Sequence, residues 1–273
     1  VLKKREGEFV SLYGAYPRQG GYELRPGYEG LASSRDGLEW KRSKYNALTR
    51  SFLRRAERLA IRTSNVLVSD SLGIQSYLKT AYGQPSEFIP YGAEVFDHPV
   101  ANKIGEYNVE SQDYFMLIAR MEPENNIEVI LDGYVASDDR RPFLVVGNTA
   151  NKFGRKMQSK FANCAGIRFT GAIYDIEVLN SLRYFSRLYF HGHSVGGTNP
   201  SLLEAMGSGA MIAAHDNPFN KAVLEHDAFY FRNAEEVSSI IRQLYAANRR
   251  EEWVNRNLDK IRAHYQWSQI TNR

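Results

Sequence analysis

The strongest constraint in this sequence is a set of short apolar runs in its second half that show no polar alternation. Tyr114 to Ala119, Phe143 to Gly147 and Leu188 to His191 are apolar nearly throughout, whereas a strand with one wet face alternates polar and apolar residues. Strands buried on both faces are the habit of parallel sheets covered by helices. The intervening segments supply those helices. Pro123 suits a first helical position, and Ile127, Ile130, Leu131 and Tyr134 follow at helical spacing. Further on, Ile167 to Gly171 predicts a strand, Val178 to Phe185 a helix, Ser201 to Met206 a helix start, Met211 to Ala214 a strand, and Glu235 to Ala247 an amphipathic helix. The β-α-β series predicts a parallel sheet with right-handed crossovers, and residues 108–255 read as one Rossmann-like domain.

The chain has 273 residues, and domains typically hold roughly 100–150, so a second domain is expected upstream. There Leu48, Phe52, Ala56, Leu59 and Ala60 predict the buried face of a helix over 44–62, with Arg50, Arg54, Arg58 and Arg62 striping another face. Asn65 to Ser69 predicts a strand, Ser71 to Thr80 a helix, and Glu87 to Ile89 a short strand. Phe9 to Tyr13 reads as a strand before the glycine-rich stretch Gly14 to Gly21. Tyr22 to Arg35 shows no regular pattern, and Tyr91 to Asn108 reads as a linker.

Several function classes fall away on composition. At 43% hydrophobic, 12% aromatic and 24% charged residues, the chain is too apolar for disorder. Its single cysteine, Cys164, excludes an internal disulfide and a cysteine-based zinc site. No run reaches the roughly 18 apolar residues of a membrane span, and the opening Val1 to Glu6 lacks the apolar stretch of a signal peptide. A cytoplasmic location is therefore expected. The net charge of +4 conceals a patch: Lys41 to Arg62 holds eight Lys/Arg against Glu57 alone, a local +7. Three readings are open for it, namely a solvated helix face, a peripheral contact with anionic membrane, and nucleic acid, the last without any recognised motif.

Chemistry concentrates at the carboxyl ends of the predicted strands, where open α/β sheets bind ligands. After Leu188 to His191 comes the stretch His191 to Met206, whose glycines allow close backbone approach and whose helix start near Ser201 to Leu203 offers amides to phosphate oxygens. Glu204, one turn into that helix, suits the hydroxyls of a ribose. A plain glycine-rich turn capped by Asn199, with Glu204 solvated, is the alternative. Arg120 follows the Tyr114 to Ala119 strand and offers fork-shaped donors suited to a diphosphate, against an ion pair with Glu122 or Glu124. Gly147 and Asn148 lie on the same edge. His191 and His193 lack a third ligand at metal-binding spacing, so no metal site is expected. An NAD-dependent enzyme is disfavoured because no Gly-x-Gly-x-x-Gly turn precedes an acidic residue at the required distance.

These residues carry a resemblance. Ala119-Arg-Met-Glu-Pro-Glu-Asn-Asn-Ile127, Phe143-Leu-Val-Val-Gly147, Phe169-Thr-Gly171 and Asn199-Pro-Ser-Leu-Leu-Glu-Ala-Met206 resemble the nucleotide-sugar-binding half of family-4 retaining glycosyltransferases of GT-B fold. Asp36-Gly-Leu-Glu-Trp-Lys-Arg42, Ile89-Pro-Tyr-Gly-Ala-Glu94 and Gly196-Gly-Thr-Asn-Pro-Ser201 are similar to its bacterial rhamnosyltransferase-like branch, as are Pro17 to Glu23 and Trp267. The resemblance implies an α/β chain of two Rossmann-like domains with parallel sheets, the N-terminal one shortened or incomplete. Its expected boundaries are 1–95 for the acceptor side, 96–255 for the nucleotide-sugar side, and 256–273 for a helix crossing back.

It also implies that Arg120 binds the donor diphosphate and Glu204 its ribose. Gly197, Thr198, Asn199, Ser201 and Leu202 would meet the phosphates and sugar, Ile173 and Tyr174 the base, and Asp36 the sugar pocket, with a plain Asp-Gly turn as the alternative for Asp36. His193, on the residue reading alone, either touches the donor sugar or satisfies a backbone group. Two positions depart from the family pattern: Gly196 stands where a carboxylate is usual, and Asn125 where a phosphate-binding lysine is usual. The implied activity is transfer of a sugar, rhamnose among the candidates, from a nucleoside-diphosphate donor to a growing bacterial surface glycan or lipid-linked acceptor, with retention and without metal or cofactor. The alternative is a nucleotide-sugar-binding scaffold without turnover.

Overall fold

The computed structural model describes residues 32–35, 40, 45–195, 197–244 and 249–271. Its contacts divide the chain into two units, one holding residues up to Tyr91 with Val195–Thr198 and the chain end from Ser268, the other holding Gly92–Ser194 and Asn199–Trp267. Phe9 to Tyr13, the glycine-rich stretch after it, Asp36 and Gly196 lie outside the described residues.

In the first unit β1 (Ala32–Arg35), β2 (Val66–Ser69) and β3 (Glu87–Phe88) form a parallel sheet in that order, with Ala32 beside Val66 and Val68 beside Glu87. Strand β1 falls in a segment that showed no pattern, because Ala-Ser-Ser-Arg carries neither an apolar run nor alternation. Between the strands run α1 (Ala47–Thr63) and α2 (Leu72–Tyr82). Each starts at a side-chain cap: Asn46 accepts from the Thr49 amide at 2.9 Å and Ser71 from the Ile74 amide at 3.2 Å.

Helix α1 corrects an expectation. Of the apolar face, Leu48, Phe52 and Leu59 are 82%, 67% and 63% exposed and only Ala60 is buried, together with Glu57 and Ile61. The cause is polar. The Glu57 carboxylate accepts from Tyr77 Oη at 2.6 Å, Tyr82 Oη at 2.7 Å and Trp40 Nε1 at 3.2 Å, and this network turns the helix onto its charged side. The same network holds the Tyr77 phenol well above its usual pKa, chiefly through burial and then through the bond to Glu57. Arg50 is half-buried, whereas Arg54, Arg58 and Arg62 are exposed.

The second unit begins with α3 (Ala101–Gly105), inside the stretch read as a linker. Five residues are too short to display a helical repeat, and what fixes them is tertiary: Ile104 is buried, the Val100 amide donates to Ser181 Oγ at 3.1 Å, and Lys103 pairs with Asp175 and Glu177. The sheet contains β4 (Phe115–Ile118), β5 (Phe143–Val146), β6 (Ile167–Gly171), β7 (Leu188–His191), β8 (Ile212–His215) and β9 (Phe229–Phe231). All neighbours are parallel, in the order β6-β5-β4-β7-β8-β9. The connecting helices are α4 (Ile127–Ala136), α5 (Lys152–Lys160), α6 (Ile176–Phe185), α7 (Pro200–Gly207) and α8 (Pro218–Leu224), followed by α9 (Ala234–Gln243) and α10 (Arg250–Lys260); α11 (Trp267–Thr271) falls in the first unit but for Trp267. Pro123 opens a 3-10 turn over Pro123–Asn125 and not α4 itself, since Asn126 at φ 49° breaks the helical path.

One sheet face carries Phe115, Phe143, Leu188, Phe190 and Phe231 beneath α4, α5 and α9. Phe143 and Phe190 stack with centroids 5.5 Å apart, and Tyr134 meets Phe143 edge-on at 5.2 Å. Strand alternation puts Tyr189 and His191 on the opposite face, the one that receives α6 and α7. Among the described residues, no helix is long and apolar enough to cross a membrane.

Candidate functional site

The strand order itself locates a crevice. From β4 the chain winds outward through β5 and β6, then returns to β7 on the other side of β4 and winds the other way through β8 and β9. The loops leaving β4 and β7 therefore diverge at the carboxyl edge, and ligands of open α/β sheets bind at such a switch point. Arg120 lies in the first of these loops and His193 in the second.

The two loops are braced together. Asn125 is buried, its Nδ2 donates to the Arg120 carbonyl at 2.7 Å, and its Oδ1 lies 3.0 Å from Nδ1 of His193. Asn126 Nδ2 donates to the Gly192 carbonyl at 2.7 Å, and both the amide and hydroxyl of Ser194 donate to the Glu124 carbonyl. Gly192 is needed there, because a Cβ would sit 2.0 Å from the Asn125 carbonyl oxygen. From the other side Asn217 and Asn220, at the start of α8, each donate a side-chain N–H to the His193 carbonyl, at 3.0 and 3.1 Å. The Arg120 side chain is exposed and has no hydrogen bond or ion pair among the described residues, so the pairing with Glu122 or Glu124 is not formed. The described loop thus presents an exposed guanidinium on a fixed backbone, while the Asn125 carboxamide is spent on the brace.

Along the same edge, Gly147 approaches the neighbouring loop so closely that a Cβ would lie 2.1 Å from the Ala119 carbonyl oxygen. Asn148 is exposed and accepts from the Ala150 amide at 2.9 Å. After β6, Ile173 is half-buried and Tyr174 is 89% exposed. Gly197 and Thr198 belong to the first unit, where Gly197 lies against the Asp70 carboxylate.

The start of α7 is less open than its sequence suggested. Asn199 Oδ1 accepts from the Ser201 amide at 2.9 Å, the Asn199 carbonyl accepts from the Leu202 amide at 2.9 Å, and Pro200 has no N–H. A phosphate there competes with the Asn199 cap. The Leu202 side chain is buried, and Ser201 Oγ lies 3.1 Å from Tyr189 Oη.

Glu204 has a partner that the sequence did not reveal. Its Oε2 accepts from Nη2 of Arg183 on α6 at 2.7 Å, the arginine side chain being 1% exposed and the glutamate 38%. His191 lies beside this pair, stacked on Tyr189 and 97% buried. Burial first, and then the nearby His193, Arg183 and His215, push its pKa well below the usual histidine value, so it stands neutral. The described residues contain no group of three or more His, Cys, Asp or Glu arranged to hold a metal ion.

Comparison with known proteins places this fold. A family model described as a domain of unknown function, DUF1972, matches residues 29–94, most of the first unit. No curated protein matches the chain. Among solved structures, the chain is similar to Anabaena HepE in complex with UDP and glucose, at a TM-score of 0.76 and 15% identity, covering 89% of this chain and 69% of that one. It is also similar to sucrose-phosphate synthase from Thermosynechococcus elongatus, at 0.73 and 15% identity over 89% and 65% of the two chains. A glycosyltransferase from Rickettsia africae gives 0.69 and 14% over 89% and 68%. The chain thus spans about two thirds of the length of these structures. At such identities the likeness shows the fold: α/β with parallel sheets, as in the GT-B glycosyltransferases.

Proposed function

We propose that this chain binds a nucleoside-diphosphate sugar at the carboxyl edge of the second unit's sheet and transfers the sugar to an acceptor hydroxyl. The observation that carries the proposal is the switch point between β4 and β7, whose loops bring an exposed Arg120 and His193 to the same carboxyl edge. The likeness to structures solved with UDP and with UDP-glucose supports the same reading. The finer assignment is to the family-4 retaining type, in the rhamnosyltransferase-like branch, acting on a growing bacterial surface glycan. It rests on the motif resemblance described above.

In this mechanism Arg120 faces the diphosphate and stabilises the negative charge that builds as the bond from the anomeric carbon to the phosphate oxygen breaks. The acceptor oxygen forms its bond to the anomeric carbon on the same face, and its proton passes to the departing phosphate, so the protein supplies no nucleophile. Glu204 accepts hydrogen bonds from the ribose. Asn125 acts through its neighbours, fixing the Arg120 backbone and the His193 ring. Asp36 and Gly196 are assigned to the sugar pocket by resemblance alone.

The test is a thermal-shift screen of UDP-, GDP-, ADP- and dTDP-sugars followed by calorimetry. One donor is expected to raise the midpoint as the logarithm of its concentration, and Arg120→Ala should weaken its binding by about 1.5–3 kcal/mol, the worth of a charge-assisted hydrogen bond. No shift with any nucleotide sugar would sink the proposal. Binding without product formation would leave the scaffold reading.

The proposal extends to a peripheral contact between α1 and an anionic membrane. Leu48, Phe52 and Leu59 are exposed, at 100° per residue Arg55 and Arg62 border them on the helix, and basic helices with an exposed apolar ridge bind the lipid interface.

A further inference from the structure

Arg183 is the largest fully buried side chain among the described residues. A guanidinium is costly to remove from water, so a buried one is expected to be held at several points. Nη1 donates to Asn180 Oδ1 at 2.8 Å, and Nη2 donates to both Glu204 Oε2 at 2.7 Å and Ser201 Oγ at 3.3 Å. Asn180 Oδ1 is held in turn by the Ser208 hydroxyl at 3.0 Å, and the guanidinium carbon lies 6.0 Å from the centroid of the Tyr189 ring. Its remaining donor, Nε, has no partner among the described residues.

This arrangement treats the two carboxylate oxygens of Glu204 differently. Oε2 is tied to the buried fork, whereas Oε1 makes no hydrogen bond among the described residues and the side chain is 38% exposed. A carboxylate held in this way has a fixed direction and one oxygen left to accept from a ligand hydroxyl. Lysine does not substitute, because only the planar fork reaches Asn180 on α6 and Glu204 and Ser201 on α7 together.

We propose that Arg183 is the positioning residue for Glu204, clamping Oε2 so that Oε1 is set to accept from the 3′-hydroxyl of the bound nucleotide's pentose. The inference rests on the nucleotide-sugar reading of Glu204 and adds the group that orders it.

Calorimetry on the intact chain tests it, using whichever of UDP, GDP, ADP and dTDP binds, together with its 3′-deoxy form. Loss of the hydroxyl should weaken binding about tenfold in the parent, the size of a hydrogen bond to a charged group. In Arg183→Lys that ratio should fall toward one, and in Asn180→Ala, which loosens the fork without unpairing a charge, it should fall part of the way. A purely structural role would lower the melting temperature and leave the ratio intact. A parent that binds no nucleotide, or does not distinguish the two forms, overturns the reading of Glu204 and the inference with it. A parent that distinguishes them, with both folded variants doing so equally well, overturns the role of Arg183 alone.

Discussion

Helix α4 of the second unit turns Ile127, Ile130, Leu131 and Tyr134 onto the sheet and buries all four, whereas α1 of the first unit turns Leu48, Phe52 and Leu59 outward and buries the carboxylate of Glu57. Both helices are amphipathic by sequence. The difference lies in what each meets. Helix α4 packs on an aromatic layer built by Phe115, Phe143 and Phe190, which rewards any apolar side chain turned toward it. Helix α1 meets hydroxyls and an indole N–H from Tyr77, Tyr82 and Trp40, which only an acceptor can satisfy. Apolar periodicity predicts the buried face where the partner surface is apolar. Where that surface is a set of donors, one carboxylate overrides it.

The contrast breaks first at Phe190. Phe190→Ala removes a ring that touches Phe115, Phe143 and Phe231, and it should cost about 3–5 kcal/mol in chemical denaturation of the second unit. Leu59→Ala, a truncation of comparable chemistry on α1, should stay within about 0.5 kcal/mol because the side chain is already in water. Equal costs would mean that α1 is buried in solution and the comparison is wrong. Glu57→Ala ranks next. It removes the carboxylate that accepts from the Tyr77 and Tyr82 hydroxyls, at about 1–3 kcal/mol for a lost hydrogen bond to a charged group, and the loss should appear as faster hydrogen exchange across α2 with β4 to β8 unchanged. Glu57→Gln keeps an acceptor oxygen and should cost less.

The same reasoning separates what was legible in the sequence from what was not. The strands β4, β5 and β7 were legible because burial on both faces leaves an unbroken apolar run, and Arg120 was legible because it sits where such a run ends. Helices α7 and α8 both begin with Asn-Pro, Asn199-Pro200 and Asn217-Pro218, and in each the asparagine caps the helix. The Asn-Pro pair marks the second helix start as plainly as the first. Arg183 gave none: in a helical segment it reads as one more solvated charge, and its burial exists only because α6, β7 and α7 meet around it. The switch point is likewise invisible before strand order is known. The αL turn at Asn126, which separates the 3-10 turn from α4, left only the tolerance of asparagine for that conformation as a trace.

The smallest effect on stability should come from the exposed ridge of α1, and the same ridge tests the proposed membrane contact. At 100° per residue Leu48, Phe52 and Leu59 fall within an arc of about 40°, and Arg55 and Arg62 border it. Single exposed apolar residues would be unremarkable, but three large apolar side chains aligned beside exposed Arg55 and Arg62 combine the two terms that draw a helix to an anionic interface. Each arginine near such a surface contributes about 1 kcal/mol, an attraction that salt screens within a Debye length. The triple variant Leu48→Ser, Phe52→Ser, Leu59→Ser should therefore melt within a degree or two of the parent while its sedimentation with phosphatidylglycerol vesicles falls at least tenfold. Neutral vesicles should bind neither form. If the parent ignores anionic vesicles at low salt, the ridge has another partner; if the triple variant binds them as well as the parent, the arginines act without it.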